Sequence, residues 1–173
     1  MPNPPGFDLE NEEKYKLSLP SLPAFEMYTG LEFTKTIQYL NLKPDSTFIL
    51  SARYGLIRGD QVIIPYEAKI TLSNYRAVVD DWVKNANGNG GVRHFINSRF
   101  NLLVVRLSKP YMMAMDYLMG KLGLNPCVGD RIIVYSPILG PFNSCPNAKL
   151  IKVRGQGDYV KRIKDLRGLL HIS

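Results

Sequence analysis

The stretch Leu102–Leu107 reads Leu-Leu-Val-Val-Arg-Leu, apolar at five of six positions and without alternation. A strand with one wet face alternates, because successive side chains point to opposite sides. An unbroken apolar run instead predicts a strand covered on both faces, the habit of parallel sheets. Parallel neighbours cannot be joined by a hairpin; they need crossovers of a dozen residues or more, usually helical. This run therefore constrains the chain to alternate strands with helices.

The remaining sequence is laid out in that way. Phe48-Ile49-Leu50 is a short apolar strand bounded by Pro44-Asp45-Ser46, and Val62-Ile63-Ile64 is a second. Arg131–Tyr135 and Ala148–Val153 complete the strands. Helices are expected over Thr29–Leu40, Ser73–Asn85, Tyr111–Leu122 and the segment after Asp158. Thr29 with Glu32 three residues on forms a capping box, and Ser73 is a cap. Pro110 suits a first helical turn. Met112, Met115, Leu118, Met119 and Leu122 recur at helical spacing and read as core packing. Asn87-Gly88-Asn89-Gly90-Gly91 is expected to break the chain. The fold class is α/β: a three-layer single domain, residues 24–173, with a mostly parallel central sheet flanked by helices. Residues 1–23 hold five prolines and read as an irregular arm, locally acidic at Asp8, Glu10, Glu12 and Glu13. Within the arm, Lys14–Leu19 alternates and could add an edge strand.

Composition narrows the function. The chain of 173 residues fits one domain with a real core. No apolar run approaches the roughly 20 residues of a membrane span, and the first residues lack the pattern of a signal peptide. No membrane partner is expected, and the location read from the sequence is cytoplasmic. Cys127 and Cys145 read as ordinary thiols, with a disulfide between them as the alternative. Two histidines, His94 and His171, and no C-x-x-C make a zinc site improbable; no metal and no cofactor are expected. A net charge of +7 favours polyanionic partners, although many soluble proteins are mildly basic. Oligomeric state is not legible.

Chemistry concentrates in Thr47–Ile70. Ser51, Arg53, Tyr54, Asp60, Tyr66 and Glu67 crowd past the end of the Phe48–Leu50 strand, where α/β sheets place ligands. Arg53 suits a phosphate or carboxylate, the tyrosines suit stacking on a base, and Ser51 suits a hydroxyl or phosphate. Asp60 and Glu67 are the candidate general bases or base-edge acceptors. The plainer reading keeps Tyr54 and Tyr66 on the core and Arg53 paired with Asp60 or Glu67. Lys109 and Tyr111 follow the Leu102–Leu107 strand and would face the same crevice if the two strands are neighbours. Arg154-Gly155-Gln156-Gly157 before a helix offers backbone N–H groups to an anion, though Asp158 is also a plain cap. From Lys149 to Arg167 seven basic residues stand against two acidic ones, with Lys161, Arg162 and Lys164 as a candidate phosphate-contacting face.

Two ordered segments carry a resemblance. Tyr28-Thr29-Gly30-Leu31-Glu32-Phe33 and Ser51-Ala52-Arg53-Tyr54-Gly55-Leu56, followed by Pro65-Tyr66-Glu67, are similar to the motifs of the YaaA-like proteins. Many of those open with a strand ending Cys-Ser-Lys, and nothing like it precedes Pro23. If that strand carries part of their site, this chain lacks the part or supplies it otherwise. The resemblance implies DNA binding and protection from peroxide stress. More loosely it implies likeness to a domain of archaeosine synthase that resembles the uracil-DNA glycosylase fold. Three functions follow as expectations. The first is a protein binding nucleic acid or a nucleotide. The second is an enzyme acting on a nucleobase or nucleoside, a glycosylase or base-modifying transferase. The third is a small scaffold or self-associating protein.

Overall fold

A computed structural model of the protein describes residues 21–66, 68–84 and 87–169. The parallel sheet is present, in the order β5 (Phe100–Arg106), β6 (Gly129–Tyr135), β7 (Ala148–Ile151). Leu102 lies opposite Arg131, Arg106 opposite Tyr135, and Tyr135 opposite Ile151.

Alternation along β6 sorts its side chains between two clusters. Ile132 and Val134 pack with Met112, Phe142 and Cys145, from the helix that follows β5 and from the turn Gly140–Ser144. Ile133 and Tyr135 pack with Val153, Tyr159, Ile163 and Leu166, from the last helix and its leader. Both faces of β6 are therefore dry, which explains a strand with no polar alternation. Each fully buried aliphatic side chain here stabilises the fold by about 1.5–3 kcal/mol.

The Phe48–Leu50 strand departs from expectation. It does not join the parallel sheet; β2 (Phe48–Ser51) pairs antiparallel with β3 (Gly55–Arg58), Ser51 opposite Gly55. Gly55 closes this hairpin at φ 76°, a left-handed conformation that costs glycine nothing. Leu22 and Pro23, read as the end of the arm, form β1 (Leu22–Pro23) and pair antiparallel with β4 (Val62–Ile63). The Lys14–Leu19 segment lies outside the described residues.

Helices α1 (Ala24–Met27) and α2 (Leu31–Leu40) follow β1. The capping box is not made: Gly30 is the N-cap, and Glu32 is drawn across the molecule to Arg106. Helix α3 (Tyr75–Lys84) buries Val79 and Trp82, as its periodicity predicts. Its leader is tied by Asn74 rather than Ser73; Asn74 accepts from the Thr71 N–H at 2.7 Å and donates to the Lys69 carbonyl at 2.9 Å.

The expected break after it is instead a helix, α4 (Asn87–Ile96). Gly91 is where α4 meets β3. A Cβ there would sit 1.7 Å from the Leu56 carbonyl oxygen, so the glycine lets backbone pack on backbone. Val92 and Phe95 then anchor the helix in the core. Helix α5 (Lys109–Leu122) starts at Ser108 with Pro110 in its first turn and ends at Gly123, φ 64°. It buries Met112, Met115, Leu118 and Met119, the stripe read as core. Helix α6 (Gln156–Leu169) closes the described chain.

The two cysteines are joined, Cys127 to Cys145, with Cα atoms 5.5 Å apart. The thiol reading is thus replaced by its alternative. The bond ties the approach to β6 to the end of the Gly140–Ser144 turn. No described helix is long and apolar enough to cross a membrane.

Candidate functional site

Ser51 is the last residue of β2 and almost fully buried. Its Oγ accepts the backbone N–H groups of Arg53 (3.3 Å) and Tyr54 (3.1 Å), which holds the hairpin turn. The same hydroxyl donates to the Tyr66 hydroxyl at 2.9 Å. Tyr66 is bonded in turn to the Tyr28 hydroxyl. Tyr54 accepts the Ile64 N–H at 3.3 Å, and its ring stands edge-on to Tyr66 with centroids 5.9 Å apart. The Arg53 guanidinium lies over the Tyr54 ring at 5.1 Å. The two motif segments thus meet through their hydroxyl groups, 38 residues apart in sequence.

Tyr111, near the start of α5, adjoins this group. Burial raises its pKa, a backbone hydrogen bond with Ile70 opposes the rise, and the nearby Tyr66 phenol adds to it. The condition under which Lys109 and Tyr111 would face this crevice, that their strand neighbours β2, is not met, since β2 and β5 pair in separate sheets; Tyr111 alone is near Tyr66. Burial, and next the Tyr66 phenol, push Tyr28 far above the ordinary tyrosine range. The cluster offers hydroxyl donors and acceptors. Access differs among its members. Ser51, Arg53 and Tyr54 are 1%, 3% and 5% exposed, so a ligand would meet the half-buried Tyr28, Tyr66 and Tyr111 first.

Asp60 is placed elsewhere in chemical terms. It sits exposed in the turn after β3, gripped by Arg58 through two contacts of 2.7 and 2.6 Å. The Arg58 guanidinium holds its carboxyl below the usual range, which suits an acceptor and opposes service as a base near neutrality. Arg58 also meets the exposed His94 at 2.8 Å, giving that histidine a surface partner. Glu67 and His171 lie outside the described residues. Lys109 is exposed at the first position of α5.

The Arg154–Asp158 loop is partly used by its own chain. The Arg154 N–H donates to the Asp158 carboxylate at 3.1 Å, and Asp158 also meets Arg162 at 3.5 Å. That backbone hydrogen bond, ahead of the Arg162 charge, holds the Asp158 carboxyl low. Cβ atoms at Gly155 and Gly157 would meet nothing within 4 Å, so room exists around them, but one amide is already satisfied. Lys161, Arg162 and Lys164 are all exposed on α6, with Lys152 and Arg154 leading into it.

One polar group escaped the sequence reading. Arg106 makes a two-point pair with Glu32, both contacts at 2.9 Å, and its guanidinium lies 5.1 Å over the Tyr159 ring. Thr36 bonds the Tyr159 hydroxyl. Arg106 stands inside an apolar run and Glu32 inside a capping signature; no local pattern announces a pair 74 residues apart. Among the described residues no cluster of three or more His, Cys, Asp or Glu side chains is set to hold a metal.

No curated protein and no solved structure matches the chain. Over residues 14–88, which run from ahead of β1 to beyond α3 and include both motif segments, the chain is similar to a family of unknown function, DUF6884.

Proposed function

We propose that this protein binds nucleic acid or a nucleotide, with a base or nucleotide at the Ser51–Tyr66 cluster and backbone phosphates along α6. The observation that carries the reading is the meeting of Tyr28, Ser51, Tyr66 and Tyr111 where β2 ends and α5 begins. Aromatic faces with fixed hydroxyls suit a base, which offers a π-face and a polar edge. The exposed Lys161, Arg162 and Lys164, with Arg154 and Lys109, supply positive charge. This is the function that the YaaA-like resemblance implies. A three-layer arrangement around the parallel sheet and a cytoplasmic location go with the reading. In most cytoplasms the Cys127–Cys145 bond would stand reduced.

An enzyme acting on a base would need a shielded acid or base with a matched pKa. Asp60, exposed and held low by Arg58, does not meet that need, and Glu67 lies outside the described residues, so what favours binding is the tyrosine cluster. The test is affinity for single-stranded DNA, duplex DNA and tRNA across a salt series. The Lys161/Arg162/Lys164→Ala variant should flatten the log–log salt slope by roughly two to three units, at about 0.7–0.9 per phosphate contact. Absence of binding at low salt, or an unchanged slope in the variant, would remove the proposal. Asp60→Asn should leave binding unchanged.

A further inference from the structure

Helix α5 starts at the carboxyl end of the parallel sheet, separated from β5 by Leu107 and Ser108 alone. The first N–H groups of a helix have no partner within it. In α5 the Met112 N–H reaches back to the Ser108 carbonyl at 2.8 Å and Pro110 has no N–H, which leaves those of Lys109 and Tyr111 without an intrahelical acceptor. Ser108 is the N-cap, yet its side chain makes no capping bond, and no acidic residue stands in the first turn. The positive end of the helix dipole is not offset by its own turn. A second polar group converges there. The Ser136 N–H donates to the Ile151 carbonyl at 3.3 Å, so Ser136 continues the ladder beyond β6. Alternation puts its side chain on the face of Ile132 and Val134, which Met112 covers. Two strand residues beyond Val134 advance about 6.6 Å. Four helical residues from Met112 back to Ser108 cover about 6 Å. Arg106 stands opposite Tyr135, which brings Leu107 and Ser108 to the level of Ser136. The Ser136 side chain is thus aimed at the start of α5. It is fully buried, and its Oγ has no hydrogen-bond partner among the described residues. Buried hydroxyls are rarely left in that state.

We infer that the start of α5 holds the phosphate of the nucleotide whose base meets the tyrosine cluster. The inference rests on the nucleotide reading above and adds to the α6 contacts a phosphate site at the base-bearing unit itself. Tyr111 joins the two places, since it belongs to the first turn of α5 and its phenol lies near Tyr66. The Lys109 and Tyr111 N–H groups donate to the phosphate oxygens, the role that helix N-termini serve for anions. The exposed Lys109 ammonium supplies charge. Ser108 is exposed too, so phosphate enters from its side, and a change of χ1 turns the Ser136 hydroxyl toward it.

The test titrates inorganic phosphate into the full chain and follows backbone amide signals by NMR. Those of Lys109 and Tyr111 should shift together and saturate. Ser136→Ala should weaken phosphate binding at least tenfold, the scale of a hydrogen bond to a charged group. The same variant should keep or raise the melting temperature, because it deletes an unpaired hydroxyl; a serine with a structural role would lower it. Lys109→Ala, at an exposed position, should weaken phosphate as well. No shift at Lys109 and Tyr111, or phosphate affinity unchanged in Ser136→Ala, would overturn the inference. A parallel arm uses single-stranded DNA. If it binds the unsubstituted chain and Ser136→Ala equally, the inference falls and the nucleotide reading stands. If phosphate shifts Lys109 and Tyr111 but single-stranded DNA, duplex DNA and tRNA all fail to bind, the nucleotide reading falls and the claim that the phosphate belongs to a nucleotide falls with it.

Discussion

Tyr28, Tyr135 and Tyr159 share a consequence of burial. Their phenols are neutral in the fold and resist ionisation; burial is the first cause for each, and Tyr135 and Tyr159 are pushed up to about 12. An unfolded tyrosine ionises near 10. The folded state therefore holds its protons where the unfolded state releases them. This contribution to stability is complete below pH 10 and is lost as pH climbs through 12. Thermal melts from pH 9 to 12 should show a steep fall that Tyr159→Phe makes shallower; an equal fall in that variant would contradict the assignment. At the same scale, Ser51, Tyr54 and Tyr66 could be singled out from sequence because polar residues past a strand end have few structural reasons to gather. Their hydroxyl bonds to one another could not be read there. Nor could Tyr28 be recognised as the partner of Tyr66, because hydrogen bonds across 38 residues leave no spacing to read.

Among the elements, α4 is the one that glycine content concealed. Glycine weakens an isolated helix by about 1 kcal/mol per residue, so its Gly-Asn-Gly-Gly sequence reads as a break. Tertiary packing overrides that propensity, because only glycine at 91 lets the helix touch β3. Gly91→Ala should improve local helix propensity and yet lower stability by 2 kcal/mol or more, on the order of an overpacked core. A denaturant midpoint at or above that of the unsubstituted chain would refute the contact. Strands β5, β6 and β7 and helix α5 were legible because each carries a regular apolar stripe or run. The β2–β3 pairing was not, since an apolar run of three residues is compatible with either direction of partner. The Cys127–Cys145 bond belongs to this scale also. It closes a loop with a separation of 18 residues, and reduction should cost about 3 kcal/mol. Matched melts with and without reductant measure it; coincident melts would show that the bond contributes nothing.

For the whole molecule, the charge excess was visible from composition, and the structure distributes part of it. Lys161, Arg162 and Lys164 lie exposed on the helix whose inner face, Tyr159, Ile163 and Leu166, covers the parallel sheet. The same helix thus serves core and surface, which is why its basic residues could be read either as a solvated face or as a phosphate contact. Asp60 shows the limit of sequence reading in the opposite sense. Its crowding near Tyr54 and Tyr66 suggested a shared crevice, but the hairpin turns its carboxylate to Arg58 at the surface. The proposed function has the tyrosine cluster meet a base while the helix meets phosphate. The most direct measurement is the affinity of Tyr66→Phe for single-stranded DNA, followed across salt, with melting recorded to show that the variant remains folded. The proposed function predicts weaker binding by roughly 1 kcal/mol or more, on the scale of a lost hydrogen bond, with the salt slope unchanged. Unaltered affinity, or a changed slope, would contradict it.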